Sequence, residues 1–262
     1  MIEQLIEQAR KVIVKFGSNT LAKSDGKINI GFFSEFAEQA AALMKNGKQI
    51  VIVSSGARVA GVSAMDKWDR KQDIHYKQAL CAVGQVELMG AWRRAFDPHG
   101  LHVAQILLTR EDFDDPIRTL NMRNTLFTLV DEGIVPIINE NDTVSVEEIK
   151  IGDNDNLAAL SAILWSADLL ILFSDIDGLY NKNPKEFPDA QLLEEVRDIE
   201  EVRKNISIGE TNSFGTGGIA TKLQAAQRAS QYGIPTILAH GGKPRSLEAL
   251  AEGKQKGTAF LV

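Results

Sequence analysis

The chain of 262 residues is predicted to be an α/β protein, a three-layer αβα sandwich built on a mainly parallel central sheet of about eight strands. Three observations predict it. Short β-branched runs alternate with helix-patterned segments along the whole chain. The first of these runs forms a strand–helix–strand unit within about forty residues, which implies parallel pairing. Four polar clusters end or follow predicted strands, and a parallel sheet brings them all to one edge, where α/β proteins bind ligands.

The elements follow in order. Val12 to Phe16 is an apolar strand feeding a turn at Gly17-Ser18-Asn19. Ile30 to Asn46 carries Phe32, Phe33, Phe36, Ala40, Leu43 and Met44 at helical spacing, and Gly47 stops it. Gln49 to Val53 is a strand followed by Ser54-Ser55-Gly56-Ala57. Lys77 to Phe96 is a long helix ending at Asp97-Pro98-His99-Gly100, and Val103 to Leu108 is the next strand. Thr119 to Asp131 is a helix stopped by Gly133. Ile134 to Ile138 is a strand whose start is blurred by Pro136, a residue with no N–H for a ladder. Asp153 to Trp165 is an apolar helix, and Leu169 to Phe173 a strand ending at Ser174-Asp175. Residues 181 to 200 are a polar excursion with a short strand near Leu192 to Val196. Thr216 to Tyr232 is a helix opened by glycines, Ile234 to Ala239 a strand, Ser246 to Ala251 a short helix and Thr258 to Val262 a last strand. No linker appears, so residues 1–262 read as one domain, with a part to about residue 165 and a second part from about 166.

Composition narrows the class. A net charge of −6 offers nothing to a nucleic-acid backbone. No stretch approaches the ~20 apolar residues of a membrane span, and no apolar signal region opens the chain, so a cytoplasmic location is expected. The single cysteine, Cys81, falls in a helical run and reads as core packing. No Cys/His cluster has zinc spacing.

The stretch Asn139 to Asn156, NENDTVSVEEIKIGDNDN, concentrates the chemistry. Carboxylates and amides packed between a buried strand and an apolar helix must be solvated or grip something polar. The Asp153-Asn154-Asp155 spacing fails as an EF-hand, because Leu157 stands where a ligand is needed. Asp153 and Asn154 could simply cap the helix. Asp155 lies deeper, and a buried aspartate wants a cation, with Lys15 or Lys222 as candidates. Lys15 is either a strand-end lysine reaching water or a phosphate ligand beside Gly17. Gly215 to Lys222, GTGGIATK, is not a P-loop and is only a weak dinucleotide match. A glycine-rich helix start with a lysine one turn in still suits phosphate. Two lysines near phosphate and no base constellation point to phosphoryl transfer onto an acceptor that is already anionic, a carboxylate. His75, His99, His102 and His240 are scattered.

VIVKFGSNTL, IVIVSSGARVAG, QILLTR, IVPIINENDTV, IKIGDNDNLAALSA, LFSDIDGLY and GTGGIATKLQAA together resemble the glutamate 5-kinase (γ-glutamyl kinase) family of amino-acid kinases, in family order over about the whole chain. The resemblance implies ATP-dependent phosphorylation of the γ-carboxylate of L-glutamate, the first step of proline synthesis. It also implies Mg²⁺, proline as feedback inhibitor and a homo-oligomer. Carried over, it implies that Lys15, Lys222 and Asp155 are catalytic, with Asp155 orienting the two lysines. Ser55, Gly56, Asp142, Asp153 and Asn154 would bind glutamate. Lys15, Gly17, Ser174, Asp175, Thr216, Gly217, Gly218, Ile219, Ala220, Thr221 and Lys222 would bind the nucleotide. No protein-held metal site is expected. Ser54, Ser174 and Ile219 depart mildly from the family pattern, and the C-terminal PUA domain of many members is not expected here. Residues 143 to 151 are expected to form a hairpin over the site, with Glu147 and Glu148 solvated. The alternatives are another phosphotransferase of the family, acting on acetylglutamate or isopentenyl phosphate, and a non-catalytic sensor. The acidic and amide residues favour a substrate with a free amine over the first. The pair of lysines argues against the second.

Overall fold

A computed structural model describes residues 1–23, 25–66, 73–145, 154–184, 186–205 and 218–262. Eight described strands form one sheet: β1 (Lys11–Phe16), β2 (Gln49–Ser54), β3 (Val103–Leu108), β4 (Val135–Glu140), β5 (Leu169–Ser174), β6 (Glu195–Val196), β7 (Thr236–His240) and β8 (Gly257–Phe260). Their order is β3-β4-β2-β1-β5-β7-β8-β6. Pairing is parallel except between β7 and β8. Pro136 sits inside β4, and pairing of β4 with β2 starts only beyond it, at Ile52–Ile137. A residue with no N–H to donate explains the late start.

The inner strands β1, β2, β4, β5, β7 and β8 are buried on both faces, and period-two alternation sorts their side chains between two cores. Val12, Val14 and Phe16 of β1 pack on one face. Against them lie α1 (Ile2–Gln8), α3 (Ile30–Lys45), α4 (Ala57–Met65), α5 (Ile74–Phe96) and α11 (Ser246–Ala251). Ile13 faces the other way. On that side lie α7 (Pro116–Asp131), α8 (Asn154–Trp165) and α10 (Ile219–Ser230), flanked by α9 (Ile199–Asn205). Two short helices, α2 (Ser18–Leu21) and α6 (Arg110–Asp114), follow β1 and β3. This is the expected αβα sandwich.

Several boundaries differ from the sequence reading, each for a local reason. The long helix α5 begins at Ile74, because the Asp73 side chain accepts from the backbone N–H groups of His75 and Tyr76. Asp115 does the same for α7, with Pro116 at its first position. The strand expected near Leu192 shrinks to two residues, with an isolated bridge between Tyr180 and Leu192. α4 and α9 were not expected. Asp153, Gly215, Thr216, Gly217 and most of the hairpin proposed over 143–151 lie outside the described residues.

Candidate active site

The carboxyl ends of β1, β2, β4 and β5 converge as the parallel pairing requires. Lys15 sits level with Val53 of β2 and Leu172 of β5. Alternation puts it on the same face as Ile13, toward α8 and α10. There it meets Asp155 in the first turn of α8: Lys15 Nζ lies 2.5 Å from Asp155 Oδ1. From α10, Lys222 Nζ reaches Asp155 Oδ2 at 3.1 Å. The Thr221 hydroxyl donates to the same oxygen at 2.8 Å. Asp155 is fully buried, and Lys15 and Lys222 are only 3% and 5% exposed.

Burial alone would raise the Asp155 pKa, but the two ammonium groups and the Thr221 hydroxyl overcome it and hold the carboxyl at about 2. Burial lowers the Lys222 pKa, opposed by Asp155. One carboxylate between two lysines leaves a net positive charge, which suits phosphate oxygens.

The backbone around these charges is open. Among the described residues, a Cβ built at Gly17 would meet only Lys15 Nζ, at 3.8 Å, and one at Gly218 would meet nothing within 4 Å. Gly218 caps α10 without a side-chain hydrogen bond, so this helix start fits an anion. Ile219 packs against the core and Ala220 is exposed. Ser174 Oγ donates to Asp175 Oδ1 at 3.1 Å, and Asn19 Nδ2 to Asp175 Oδ2 at 3.3 Å. These groups lie at the carboxyl ends of β1 and β5 and the start of α10, where cations and a helix start can receive an anion. Among the described residues, no group of three or more His, Cys, Asp or Glu side chains is disposed to hold a metal ion.

The other half of the site is built from amides. Asn154 Nδ2 donates to Ser55 Oγ at 2.8 Å and to Asn139 Oδ1 at 3.0 Å. Asn139 Oδ1 also accepts from the backbone N–H of Glu140 at 2.9 Å, and Asn139 Nδ2 donates to Gln85 Oε1 on α5 at 2.8 Å. Gly56 follows Ser55 with φ of +102°, a left-handed turn that sends the chain from β2 into α4. Gln78 Nε2 donates to the Asp142 backbone carbonyl at 2.9 Å.

Asp142 is 5% exposed, and its Oδ1 has no hydrogen-bond partner among the described residues. Burial raises its pKa to about 7; the Cys81 thiol opposes this, Glu140 adds to it and Arg58 opposes it. Cys81 is buried, as expected, but it also serves this carboxyl.

Of the residues singled out in the sequence, Lys15, Asp155, Thr221 and Lys222 form one cluster. Ser55 and Asn154 form a second, tied to the first because Asn154 and Asp155 are adjacent. Asp142 joins neither by a direct hydrogen bond and meets α5 instead. Gln85 was given no role, and Asn139 only a place in the polar stretch expected to grip a ligand. The signal was available: Gln78, Cys81, Gln85 and Trp92 recur at helical spacing on one face of α5.

A model of the amino acid kinase family matches residues 10–240. The chain is 62% identical over 260 residues to the glutamate 5-kinase of Alkaliphilus metalliredigens (strain QYMF), covering 99% of this chain and 98% of that one. It is 59% identical over 261 residues to the glutamate 5-kinase of Alkaliphilus oremlandii (strain OhILAs), covering 100% and 99%. The carbamate kinase from Giardia lamblia bound to AMP-PNP has the same fold, with a TM-score of 0.68 at 15% identity over 97% of this chain and 99% of that one. So does the UMP kinase from Ureaplasma parvum, with a TM-score of 0.66 at 17% identity over 97% and 100%. The chain belongs to the amino acid kinase family and, within it, to the glutamate 5-kinases.

Proposed function

We propose that this chain transfers the γ-phosphoryl group of ATP to the γ-carboxylate of L-glutamate, giving L-glutamyl 5-phosphate and ADP, the first step of proline biosynthesis. The observation that carries the reading is the convergence of Lys15 and Lys222, from opposite parts of the chain, on the buried Asp155. The relatives at 59% and 62% identity support the same reaction.

In this reading the γ-carboxylate oxygen attacks the γ-phosphorus, and the bond from that phosphorus to the β,γ-bridging oxygen breaks. The acceptor is already ionised at neutral pH, so no base is needed. Catalysis is positioning and charge neutralisation. Lys15 spans the transferring group from the sheet side, and Lys222 meets the developing charge from the nucleotide side. Asp155 keeps both ammonium groups in place without using either up. Ser55, Gly56 and Asn154 hold the amino acid with Asp142, whose unpartnered oxygen suits the substrate ammonium; Asp153 is assigned to the same side. Gly17, Ser174, Asp175 and residues 216–222 hold the nucleotide. Mg²⁺ enters as part of the nucleotide substrate, on its phosphates, where it offsets their charge.

The division of labour follows the sheet, with the part to about residue 165 on the substrate side and the part from 166 on the nucleotide side. Proline feedback is proposed on the family resemblance. A homo-oligomer is proposed on the same resemblance. A cytoplasmic location is consistent with the finding that, among the described residues, no helix is long and apolar enough to cross a membrane.

The test is ATP-dependent hydroxamate formation, with hydroxylamine trapping the acyl phosphate. Glutamate is expected to react well above N-acetylglutamate and aspartate. Preference for N-acetylglutamate, or no hydroxamate at all, would overturn the reading.

A further inference from the structure

We infer that Gln85 is a specificity-determining residue for the amino-acid substrate, its side-chain N–H group donating to the substrate's α-carboxylate. The inference rests on the proposed reaction with glutamate and deepens it.

The first step is orientation. A side-chain amide can be turned either way unless its partners fix it. Here one backbone donor fixes the whole chain of amides. The Glu140 N–H can only donate, so the Asn139 atom facing it is Oδ1. Asn139 Nδ2 then faces Gln85, so the Gln85 atom facing Asn139 is Oε1. The remaining atom, Nε2, is a buried donor pair with no partner among the described residues. Gln85 is 8% exposed, so water reaches it little. An unpaired buried amide is destabilising. Its place beside the binding groups leaves this donor pair open to a ligand.

The second step is position. Gln85 lies on the α5 face that carries Gln78 and Cys81, and both of those serve Asp142. Four residues along a helix advance about 6 Å, so Gln85 lies one turn from the Cys81 contact. If Asp142 holds the α-ammonium, the α-carboxylate is the anionic group nearest to it. The γ-carboxylate has to reach Lys15 and Lys222 on the far side of Asn139 and Asn154.

The third step is rigidity. α5 is locked against α4 by two glycines. A Cβ at Gly84 would sit 1.7 Å from the Ala57 carbonyl oxygen, and one at Gly61 would sit 1.9 Å from the Leu80 carbonyl oxygen. That contact fixes Gln85 relative to the turn carrying Ser55.

The experiment compares L-glutamate with L-isoglutamine, in which a neutral amide replaces the α-carboxylate, in native enzyme and in Gln85→Leu and Gln85→Glu. Gln85→Leu is expected to raise the glutamate KM about tenfold or more, with kcat and the ATP KM little changed. It should leave the isoglutamine KM within about twofold. Gln85→Glu keeps the oxygen that accepts from Asn139 but sets an anion where the donor was. It should weaken glutamate further and improve isoglutamine relative to native enzyme. Equal losses on both substrates, or a Gln85→Glu enzyme that binds glutamate as the native one does, would overturn the proposal. Should Gln85→Leu fail to fold, the near-isosteric Gln85→Glu decides alone. Native enzyme without hydroxamate activity would instead sink the proposed reaction.

Discussion

Two buried aspartates stand at this sheet edge and behave in opposite ways. Asp155 accepts from two lysines and a threonine, and its carboxyl is held at about 2. Asp142 has the Cys81 thiol beside it, a second carboxylate in Glu140, an oxygen with no hydrogen-bond partner among the described residues, and a pKa raised to about 7. The protein has completed the first and left the second incomplete. A completed carboxylate organises other groups and need not change during a reaction. An incomplete one is a socket for a cation brought from outside. In the proposed assignment, the phosphate half of the site is thus assembled in advance, while the amino-acid half awaits its ligand.

The contrast can be broken first at Asp155. Asp155→Asn leaves two buried lysines without their counter-charge, and is expected to cost about 3–5 kcal/mol of stability in urea unfolding. A loss under about 1 kcal/mol would mean the cluster is not held by this carboxylate. Because the folded pKa lies below the ordinary 3.8, the stability from Asp155 is present above pH 4 and is lost as pH falls through about 2.

Removing one lysine tests the catalytic half. Lys222→Ala is expected to lower kcat by roughly two to three orders of magnitude, with only a modest change in glutamate KM. An unchanged kcat would remove Lys222 from transition-state stabilisation.

Asp142 should show the reverse signature. Asp142→Asn is expected to raise the glutamate KM about ten- to a hundredfold, by loss of a charge-assisted contact. The sign of its stability effect is also opposite. A carboxyl whose folded pKa is raised costs stability as pH rises through about 7, because burial of the charge outweighs the help from Cys81 and Arg58. The ligand-free Asp142→Asn protein is therefore expected to be more stable than native above pH 7, by roughly 1–4 kcal/mol, and about equal below pH 4. A destabilised variant at pH 8 would show that the carboxylate is already paired.

Much of this was legible in the chain. Strand-like runs ending in polar turns fixed which loops would share an edge. A lysine at the end of a buried strand and an aspartate on an apolar helix were legible as candidate partners, and the fold joins them. What was not legible depended on facing rather than on type. Gln85 sits in the apolar-looking run QALCAVGQVELMGAW, and only the packing of α5 on α4 turns it toward Asn139. Cys81 reads as a small core residue, and its service to Asp142 follows from the same packing. α4 went unseen because ARVAGVSAM carries Gly61 within it, a residue that weakens helical patterning yet is needed for close approach to α5.

The most direct test is the dissociation constant of glutamate as a function of pH, for native enzyme and for Asp142→Asn. Binding of the α-ammonium requires the ionised carboxylate. The native affinity should therefore rise about tenfold per pH unit up to roughly pH 7 and then level, while the Asp142→Asn affinity stays weak and flat over the same range. Parallel pH profiles for the two proteins would contradict the claim that Asp142 is the open socket for the substrate's amine.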